Sequence, residues 1–256
     1  MTKTIGFLGT GHLASYTIAA LRNGGHAGDI ILSPRNAAVA ERLSRDHVCE
    51  VMNSNQDVVD RAGIVVLSVR PQQLAALVEG LRFPDDQIVL SAVAATRLDD
   101  LKAYSNLPQT IVRFMPSSFI EAGDAIFPLF PKNEVLEELL GALGSVVTFD
   151  TEAQFELAMI ASCAYAWVYD IADELTEWFT SAGWPADLAR DMALRHIRGA
   201  TTYALANPSS SLADISAGIA TEGTFTKLGL EHLRSAGAIS VWSDALDLLR
   251  SKLENR

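Results

Sequence analysis

Short apolar runs alternate with stretches of helical spacing through the first 150 residues. The apolar runs lie at residues 4–8, 29–33, 63–69, 87–93 and 111–116. Helical spacing is found at residues 13–21, 38–44 and 73–81. Apolar strands that alternate with helices predict a parallel sheet covered on both faces, with ligands bound at the carboxyl ends of the strands. Four polar or turn-forming residues fall on that edge: Ser68, Arg70, Pro116 and Ser117.

The pattern changes at about Thr151, where strands stop. Helical stretches are predicted at residues 152–182, 185–207, 211–220 and 224–251, and most of them are apolar almost all round. A helix that is apolar on most faces must be buried by more than its own small domain. We therefore expect a homodimer that associates through the C-terminal helices, or a higher oligomer built from such dimers. The boundary between the two halves is predicted near Phe149–Thr151.

A glycine motif follows the first apolar run. Gly9-x-Gly11-x-x-Ala14 links this predicted strand to a predicted helix. Gly9 permits a tight turn, Gly11 lets a pyrophosphate approach the backbone, and Ala14 lets the helix pack on the strand. The phosphates lie at the positive end of that helix. The sequence therefore predicts an α/β fold: a doubly wound, Rossmann-type NAD(P)-binding domain over residues 1–150, followed by an all-helical dimerisation domain over residues 151–256.

The residues after the second predicted strand indicate which cofactor binds. NAD sites usually carry Asp or Glu there, whereas this chain has Ser33-Pro34-Arg35-Asn36. A hydroxyl, a cation and an amide favour a 2′-phosphate, and so NADPH over NADH. The alternative is that Arg35 is a solvated residue at the start of a helix. The predicted cofactor contacts are Gly9, Gly11, His12, Leu13, Ala14, Ser33, Arg35, Asn36, Asn55, Val69, Arg70 and Pro71.

Composition and charge narrow the range of partners. The net charge of −11 over 256 residues argues against nucleic acid and against an anionic membrane. No apolar run is expected to span a bilayer, and Met1–Lys3 leads directly into the first strand, so we expect neither a membrane span nor a signal peptide. Cys49 and Cys163 are far apart and have no metal-ligand spacing, which predicts a cytoplasmic protein without a metal site.

Four motifs occur in one order along the chain. Ile5–Ala14 looks like I-G-F-I-G-x-G-N-M-A, and Leu67–Gln72 looks like L-A-V-K-P-Q. Arg113–Phe119 is similar to R-x-M-P-N-T-P, and Thr221–Gly229 stands where a relative would have S-P-G-G-T-T-x-x-G. Together, over nearly the whole chain, these motifs resemble the pyrroline-5-carboxylate reductases of proline biosynthesis.

The resemblance implies an NADPH-dependent oxidoreductase acting on a CH–NH bond, at a site formed at a dimer interface. Hydride would pass to the C=N carbon of a cyclic imine, reducing pyrroline-5-carboxylate to proline. By position, Thr226 would be the catalytic residue beside the imine nitrogen. Thr221, Gly223 and Thr224 would bind the substrate. Ser117 and Ser118 would bind the substrate or the nicotinamide amide.

The substrate-side motifs depart from the family pattern. Ala161–Trp167 lacks the Gly and Pro of S-G-S-G-P-A-Y, so a helix is expected to run on without a bend. Glu222 replaces Pro and Phe225 replaces Thr in the loop before the last helical stretch. If the Glu222 carboxylate enters the site, it repels a substrate carboxylate unless Lys227 or Arg113 neutralises it. Alternatively, Glu222 faces solvent at the start of a helix.

Three alternatives to the proline-pathway reductase follow from these departures. The first is a reductase of the same family with a different imine or keto substrate. The second is a non-catalytic NADP-binding protein. The third, a β-hydroxyacid-type dehydrogenase, needs a lysine on the long interdomain helix, and the chain has none between Lys132 and Lys227.

Overall fold

The computed structural model describes residues 3–117, 120 and 125–254. Ser118, one of the predicted site residues, lies outside the described residues. The chain divides into two compact units, Met1–Met159 and Ile160–Arg256. Helix α7 (Glu152–Ala161) begins in the first unit, in which Phe155 is 1% exposed and packs with the sheet.

The first unit is built on an eight-stranded sheet in the described part of the chain. The strands are β1 (Ile5–Leu8), β2 (Ile30–Leu32), β3 (Glu50–Val51), β4 (Ile64–Leu67), β5 (Ile88–Ser91), β6 (Thr110–Phe114), β7 (Ala125–Phe130) and β8 (Gly144–Thr148). Their order is β3-β2-β1-β4-β5-β6-β7-β8. Strands β1 to β6 are all parallel, which confirms the predicted doubly wound sheet.

The last two strands differ from the prediction. β7 runs antiparallel to β6, with Phe114 opposite Leu129, and β8 is parallel to β7. Helix α6 (Glu134–Gly141) lies between β7 and β8. Its N-cap is Asn133, whose side chain accepts a hydrogen bond from the Leu136 N–H. The sequence analysis did not predict β7, α6 or β8, although Ala125–Phe130 is an unbroken apolar run.

Helices cover both faces of the sheet. They are α1 (His12–Asn23), α2 (Ala37–His47), α3 (Asn55–Arg61), α4 (Pro71–Val78) and α5 (Leu98–Lys102), in addition to α6 and α7. One apolar core lies on each face of the sheet, and successive residues of a strand point into different cores. Phe7 packs in the same core as Ile18 of α1, and Leu8 packs in the same core as Leu74 of α4. Both faces of the central strands are therefore buried, which is why these strands are continuous apolar runs and do not alternate between apolar and polar residues.

The second unit is helical throughout. It contains α8 (Ala164–Ser181), α9 (Ala186–Ala206), α10 (Leu212–Ile219), α11 (Phe225–Ser235) and α12 (Val241–Glu254). The single helical stretch predicted over residues 224–251 is wrong, because Gly237 adopts a φ of 73° and ends α11. The Gly237 N–H donates to the Arg234 carbonyl and the Ala238 N–H donates to the Leu233 carbonyl, both at 3.0 Å, which is the Schellman pattern.

The expected unbroken helix over residues 152–182 is also wrong. Two turn residues, Ser162 and Cys163, separate α7 from α8. The Cys163 N–H donates to the Ile160 carbonyl at 3.0 Å, and the Ala166 N–H donates to the Cys163 carbonyl at 3.3 Å. These bonds span three residues rather than four, so the backbone tightens into a 3₁₀-type turn, which needs neither glycine nor proline. Cys163 itself keeps helical dihedral angles, φ −62° and ψ −26°.

Helices α7 and α8 together form a long apolar helical segment. Within Glu152–Ser181, an 18-residue window reaches a mean hydropathy of 1.2, so this segment is long and apolar enough to cross a membrane by length and composition alone. By that criterion, the expectation that no apolar run is long enough is wrong. Core helices of soluble proteins meet the same criterion. Only 17% of this window is buried within one chain, so much of its apolar surface lacks cover from this chain.

Candidate functional site

A cavity of about 720 Å³ lies at the carboxyl edge of the parallel strands. Its walls come from the loops that follow β1, β2, β4 and β5, and the order of the sheet reverses between β1 and β4. In open α/β sheets, ligands bind at such a reversal. The lining residues are Gly9, Thr10, Gly11, His12, Leu13, Arg35, Asn36, Val39, Ser68, Val69, Arg70, Pro71, Gln73, Ala92 and Ala94.

Gly9 is held rigidly at the base of the cavity. Its φ is +103°, and a Cβ atom would lie 2.6 Å from the Ser68 carbonyl oxygen, so only glycine fits. The Gly9 N–H donates to Ser33 Oγ at 3.1 Å, and Ser68 Oγ donates to the Gly9 carbonyl at 2.6 Å. Ser33 follows β2 and Ser68 follows β4, so the strands on both sides of β1 fix the glycine turn.

Gly11 meets a different requirement. Its φ of −84° suits any residue, and no atom lies within 4 Å of the position that a Cβ would take. Gly11 is the N-cap of α1, no side chain caps this helix end, and no acidic residue lies in its first turn. The unpaired N–H groups and positive end of the helix are therefore left to an anion.

Thr10 is a lining residue that the sequence reasoning missed. Its side chain is 3% exposed, and its hydroxyl is a buried oxygen without a hydrogen-bond partner in the described structure. An unpaired buried hydroxyl is costly, so its place in the wall indicates a contact with a ligand. The position between two glycines of the motif was the available signal.

The cavity is cationic although the chain is acidic. His12, Arg35 and Arg70 line it, and none of the described lining residues is acidic. Arg35 and Asn36 stand just before α2, at the end of the loop that follows β2. A local cluster of this kind attracts a polyanionic ligand against the overall charge of −11.

Most of the predicted cofactor contacts meet at this cavity. The lining includes Gly9, Gly11, His12, Leu13, Arg35, Asn36, Val69, Arg70 and Pro71. Three predicted contacts are not in the lining: Ala14, which is buried in α1, Ser33, whose hydroxyl holds Gly9, and Asn55, at the start of α3. Besides Thr10, the sequence reasoning did not name Val39, Ser68, Gln73, Ala92 or Ala94 as cofactor contacts.

Ser117 follows β6 on the same edge of the sheet. It is 7% exposed, and its hydroxyl has no hydrogen-bond partner in the described residues. It is not in the lining of the 720 Å³ cavity. A buried, unpaired hydroxyl beyond the end of a parallel strand is suited to a ligand, as in the case of Thr10.

The predicted substrate loop lies in the second unit, immediately before α11. Thr224 caps this helix: its Oγ1 accepts a hydrogen bond from the Lys227 N–H at 3.2 Å and donates one to the Thr221 carbonyl at 2.7 Å. Gly223 has a φ of +78°, which few other residues adopt. Thr226 is exposed in the first turn of α11, at the second residue of the helix.

The loop neutralises most of its own charge. Lys227 Nζ forms an ion pair with the Glu222 carboxylate and lies 3.8 Å from Glu231 Oε1. Of the two cations expected to neutralise Glu222, Lys227 does so. The other, Arg113, is paired with Glu152 at 2.6 Å and Glu156 at 3.3 Å.

Neither cysteine is among the residues that line the cavity. No group of three His, Cys, Asp or Glu side chains among them could hold a metal ion. Burial raises the pKa of Cys49 to about 11, so this thiol stays protonated near neutral pH.

Sequence comparisons agree with the two halves of the structure. Residues 4–95 match the family model described as NADP oxidoreductase coenzyme F420-dependent. Residues 152–255 match the model described as pyrroline-5-carboxylate reductase dimerisation. The pyrroline-5-carboxylate reductase of Pseudomonas aeruginosa is 26% identical over 217 residues, which cover 80% of each chain.

Solved structures show the same fold. The 1-pyrroline-5-carboxylate reductase of Streptococcus pyogenes superposes with a TM-score of 0.86 at 21% identity, covering 99% of both chains. The pyrroline carboxylate reductase of Plasmodium falciparum, solved with NADP bound, has a TM-score of 0.84 at 16% identity and covers 99% of this chain and 97% of its own. At these identities, the likeness extends to the fold.

Proposed function

The chain belongs to the pyrroline-5-carboxylate reductase family, and from that premise we propose that it is an NADPH-dependent reductase of a cyclic imine. The observation that carries the proposal is the cationic cavity around the Gly9–Gly11 turn, at the point where the order of the sheet reverses. Its reaction is hydride transfer to a C=N carbon, and pyrroline-5-carboxylate, reduced to proline, is the first substrate to test.

NADPH fits the residues of the cavity. The pyrophosphate would lie at the uncapped N-terminus of α1, in the open space beside Gly11. Arg35 and Arg70 provide two guanidinium groups for a 2′-phosphate, and no acidic residue among the described lining would repel it. When bound, the reduced nicotinamide supplies the hydride, so the chain itself must align the two reactants and exclude water.

The imine is assigned to the residues of the α11 loop. Thr226 carries an exposed hydroxyl that can donate a hydrogen bond to the imine nitrogen. Thr221, Gly223 and Thr224 shape the loop, and the hydroxyl of Thr224 is already used to cap the helix. Since Lys227 neutralises Glu222, the loop tolerates the carboxylate of the substrate better than an unpaired glutamate would.

We also propose that the protein acts as a homodimer in the cytoplasm. The match of residues 152–255 to a dimerisation model supports self-association. The exposed apolar side chains of the helical unit support it independently: Phe225 is 93% exposed and Leu205 is 77% exposed in the single chain. Neither nucleic acid nor a membrane is proposed as a partner, because the chain is strongly acidic.

One observation favours a second candidate function, reduction of an imine other than pyrroline-5-carboxylate. Glu222 and Phe225 occupy loop positions where the family has Pro and Thr. Phe225 is 93% exposed, and Glu222 is 88% exposed although it is paired with Lys227, so both side chains are accessible to a ligand or a second subunit. A bulky ring and a carboxylate would select for size and charge in the imine.

The deciding experiment follows the oxidation of NADPH, and then of NADH, by absorbance. The purified protein is given pyrroline-5-carboxylate, a panel of carboxylate-free cyclic imines, and 2-keto acids. Turnover of pyrroline-5-carboxylate with a preference for NADPH supports the proposal, and turnover of only another imine supports the second candidate. Binding of NADPH without turnover of any compound in the panel would contradict both and favour a non-catalytic role.

A further inference from the structure

A second wall of the cofactor cavity is formed by the loop between β5 and α5. Ala92 and Ala94 line the cavity in this loop. Ala95, the next residue, has a φ of +51°, a conformation that residues other than glycine adopt rarely. A backbone held in such a conformation persists only when contacts on both sides determine it.

The two ends of the loop are held by different elements. At its start, the Ala92 N–H donates to the Leu67 carbonyl of β4 at 2.9 Å. At its end, the Leu98 N–H donates to Glu152 Oε1 of α7 at 2.6 Å. Helix α5 has only 5 residues, so it holds this end weakly by itself. A side chain 54 residues away in the sequence therefore completes the attachment of the loop.

Glu152 is fixed in turn by a buried arginine. Arg113 lies in β6 beside Ser91 of β5, and its side chain is 2% exposed. Its Nη1 atom lies 2.6 Å from Glu152 Oε1 and 3.3 Å from Glu156 Oε1, and its guanidinium stacks 4.7 Å above the Phe155 ring. Because a buried guanidinium must be paired, this arrangement fixes the start of α7 on the sheet.

The two glutamates on Arg113 are not equivalent. Both also lie near Arg97, at 3.8 Å for Glu152 and 3.9 Å for Glu156. They are similarly buried, with 13% and 16% of their side chains exposed. Only Glu152 accepts a hydrogen bond from the backbone of the loop among the described contacts. Variants of the two glutamates therefore separate the neutralisation of Arg113, which both provide, from the attachment of the loop, which only Glu152 provides.

We infer that Glu152 is a positioning residue for the cofactor: by accepting the Leu98 N–H, it holds the Ala92–Leu98 loop as a wall of the dinucleotide cavity. This inference rests on the proposed use of that cavity for NADPH. It does not depend on which imine is reduced. Glu152 acts through the loop and does not itself line the cavity.

The test measures binding of NADPH by isothermal titration calorimetry, without any imine, in the full-length protein. The variants are Glu152→Ala, Glu152→Gln and the matched Glu156→Ala. Glu152→Ala should raise the Kd for NADPH about tenfold, since the loop loses a hydrogen bond to a charged acceptor. Glu152→Gln keeps an acceptor for the Leu98 N–H and should restore most of the affinity. Glu156→Ala should leave the Kd close to that of the wild type.

Thermal unfolding of the same variants separates positioning from stability. Both alanine variants remove a carboxylate from Arg113, so both should lower the Tm, with the larger loss in Glu152→Ala because it also leaves the Leu98 N–H without its acceptor. Equal losses of NADPH affinity in Glu152→Ala and Glu156→Ala would overturn the inference, as would a Glu152→Gln variant that binds as poorly as Glu152→Ala. If the wild-type protein binds no NADPH, then the cavity is not an NADPH site and the positioning role of Glu152 is also overturned. Failure to reduce an imine while NADPH still binds counts only against the proposed reaction.

Discussion

At the scale of single residues, the two glycines of the turn serve different purposes. Gly9 is required by the backbone, because its φ of +103° and the Ser68 carbonyl leave no room for a Cβ atom. Gly11 has an ordinary φ and open space around it, so its small size serves the ligand rather than the fold. Substitution by alanine should separate these two functions.

We expect Gly9→Ala to lower the free energy of unfolding by about 3 kcal/mol, from backbone strain and overpacking together. Gly11→Ala should change it by less than about 1 kcal/mol, because alanine is only a poorer N-cap than glycine. Its Kd for NADPH should nevertheless rise about tenfold or more, since the methyl group takes the place of the pyrophosphate. Denaturant unfolding and calorimetric titration check both values. A Gly11→Ala protein that binds NADPH normally would contradict this placement of the pyrophosphate.

We propose that single side chains also decide between the two dinucleotides. Arg35 lines the cavity at the end of the loop after β2, where NAD-binding proteins usually carry an acidic residue. Arg35→Asp should shift the kcat/KM preference from NADPH toward NADH, because a carboxylate repels the 2′-phosphate and accepts hydrogen bonds from the ribose hydroxyls. Steady-state kinetics with both cofactors measure the change. Arg45→Asp, at an exposed position near the end of α2, is a charge-matched control that should leave the preference unaltered.

At the scale of elements, two threonines at the start of α11 have different roles. Thr224 supplies the N-cap of the helix, whereas Thr226 is exposed two residues later. The sequence motif predicts substrate contacts for both residues. The structure adds a capping role only for Thr224.

Thr226→Ala should lower kcat about tenfold or more, through loss of a donor to the reacting nitrogen, with an unchanged Kd for NADPH. Thr226→Ser keeps the hydroxyl and should retain most of the activity. Thr224→Ala should instead lower the free energy of unfolding by about 1 kcal/mol through loss of the cap. Stopped assays with saturating NADPH and thermal unfolding distinguish the three variants. If Thr226→Ala weakened NADPH binding as much as turnover, the substrate-side assignment would be wrong.

At the scale of the whole molecule, the helical unit carries most of the exposed large apolar side chains of the described chain. Leu205 and Leu212, at the end of α9 and the start of α10, are 77% and 73% exposed. We propose that a second copy of the chain covers them, and the match to a dimerisation model supports self-association.

We therefore expect sedimentation equilibrium to give a particle of two or more copies of the 27.6 kDa chain. The double variant Leu205→Lys with Leu212→Lys should dissociate toward the monomer, because each lysine would place a charge in an apolar interface. Val48→Lys alters a residue of the first unit that is 83% exposed, and should leave the association unchanged. A wild-type protein that stays monomeric at micromolar concentrations would rule out the proposed dimer.

The sequence by itself determined the features that depend on neighbouring residues. The glycine motif, the apolar strands and the helical spacing predicted the parallel sheet and most of the cavity lining, because turn, strand and helix preferences act over a few residues. The basic residue after β2 was readable for the same reason. The glycine at position 237 was also a visible stop signal, although the prediction continued a helix through it.

Only the tertiary structure decided the contacts that join distant segments. Ser33 and Ser68 meet at Gly9 from positions 24 and 59 residues away, so Ser33 holds the turn from within the core. Glu152 meets Leu98 across 54 residues, and β7 reverses direction against β6. No local pattern encodes such pairings, because they depend on which strands become neighbours. The sequence therefore placed the cofactor loop, and the packing of the sheet decided what holds that loop in position.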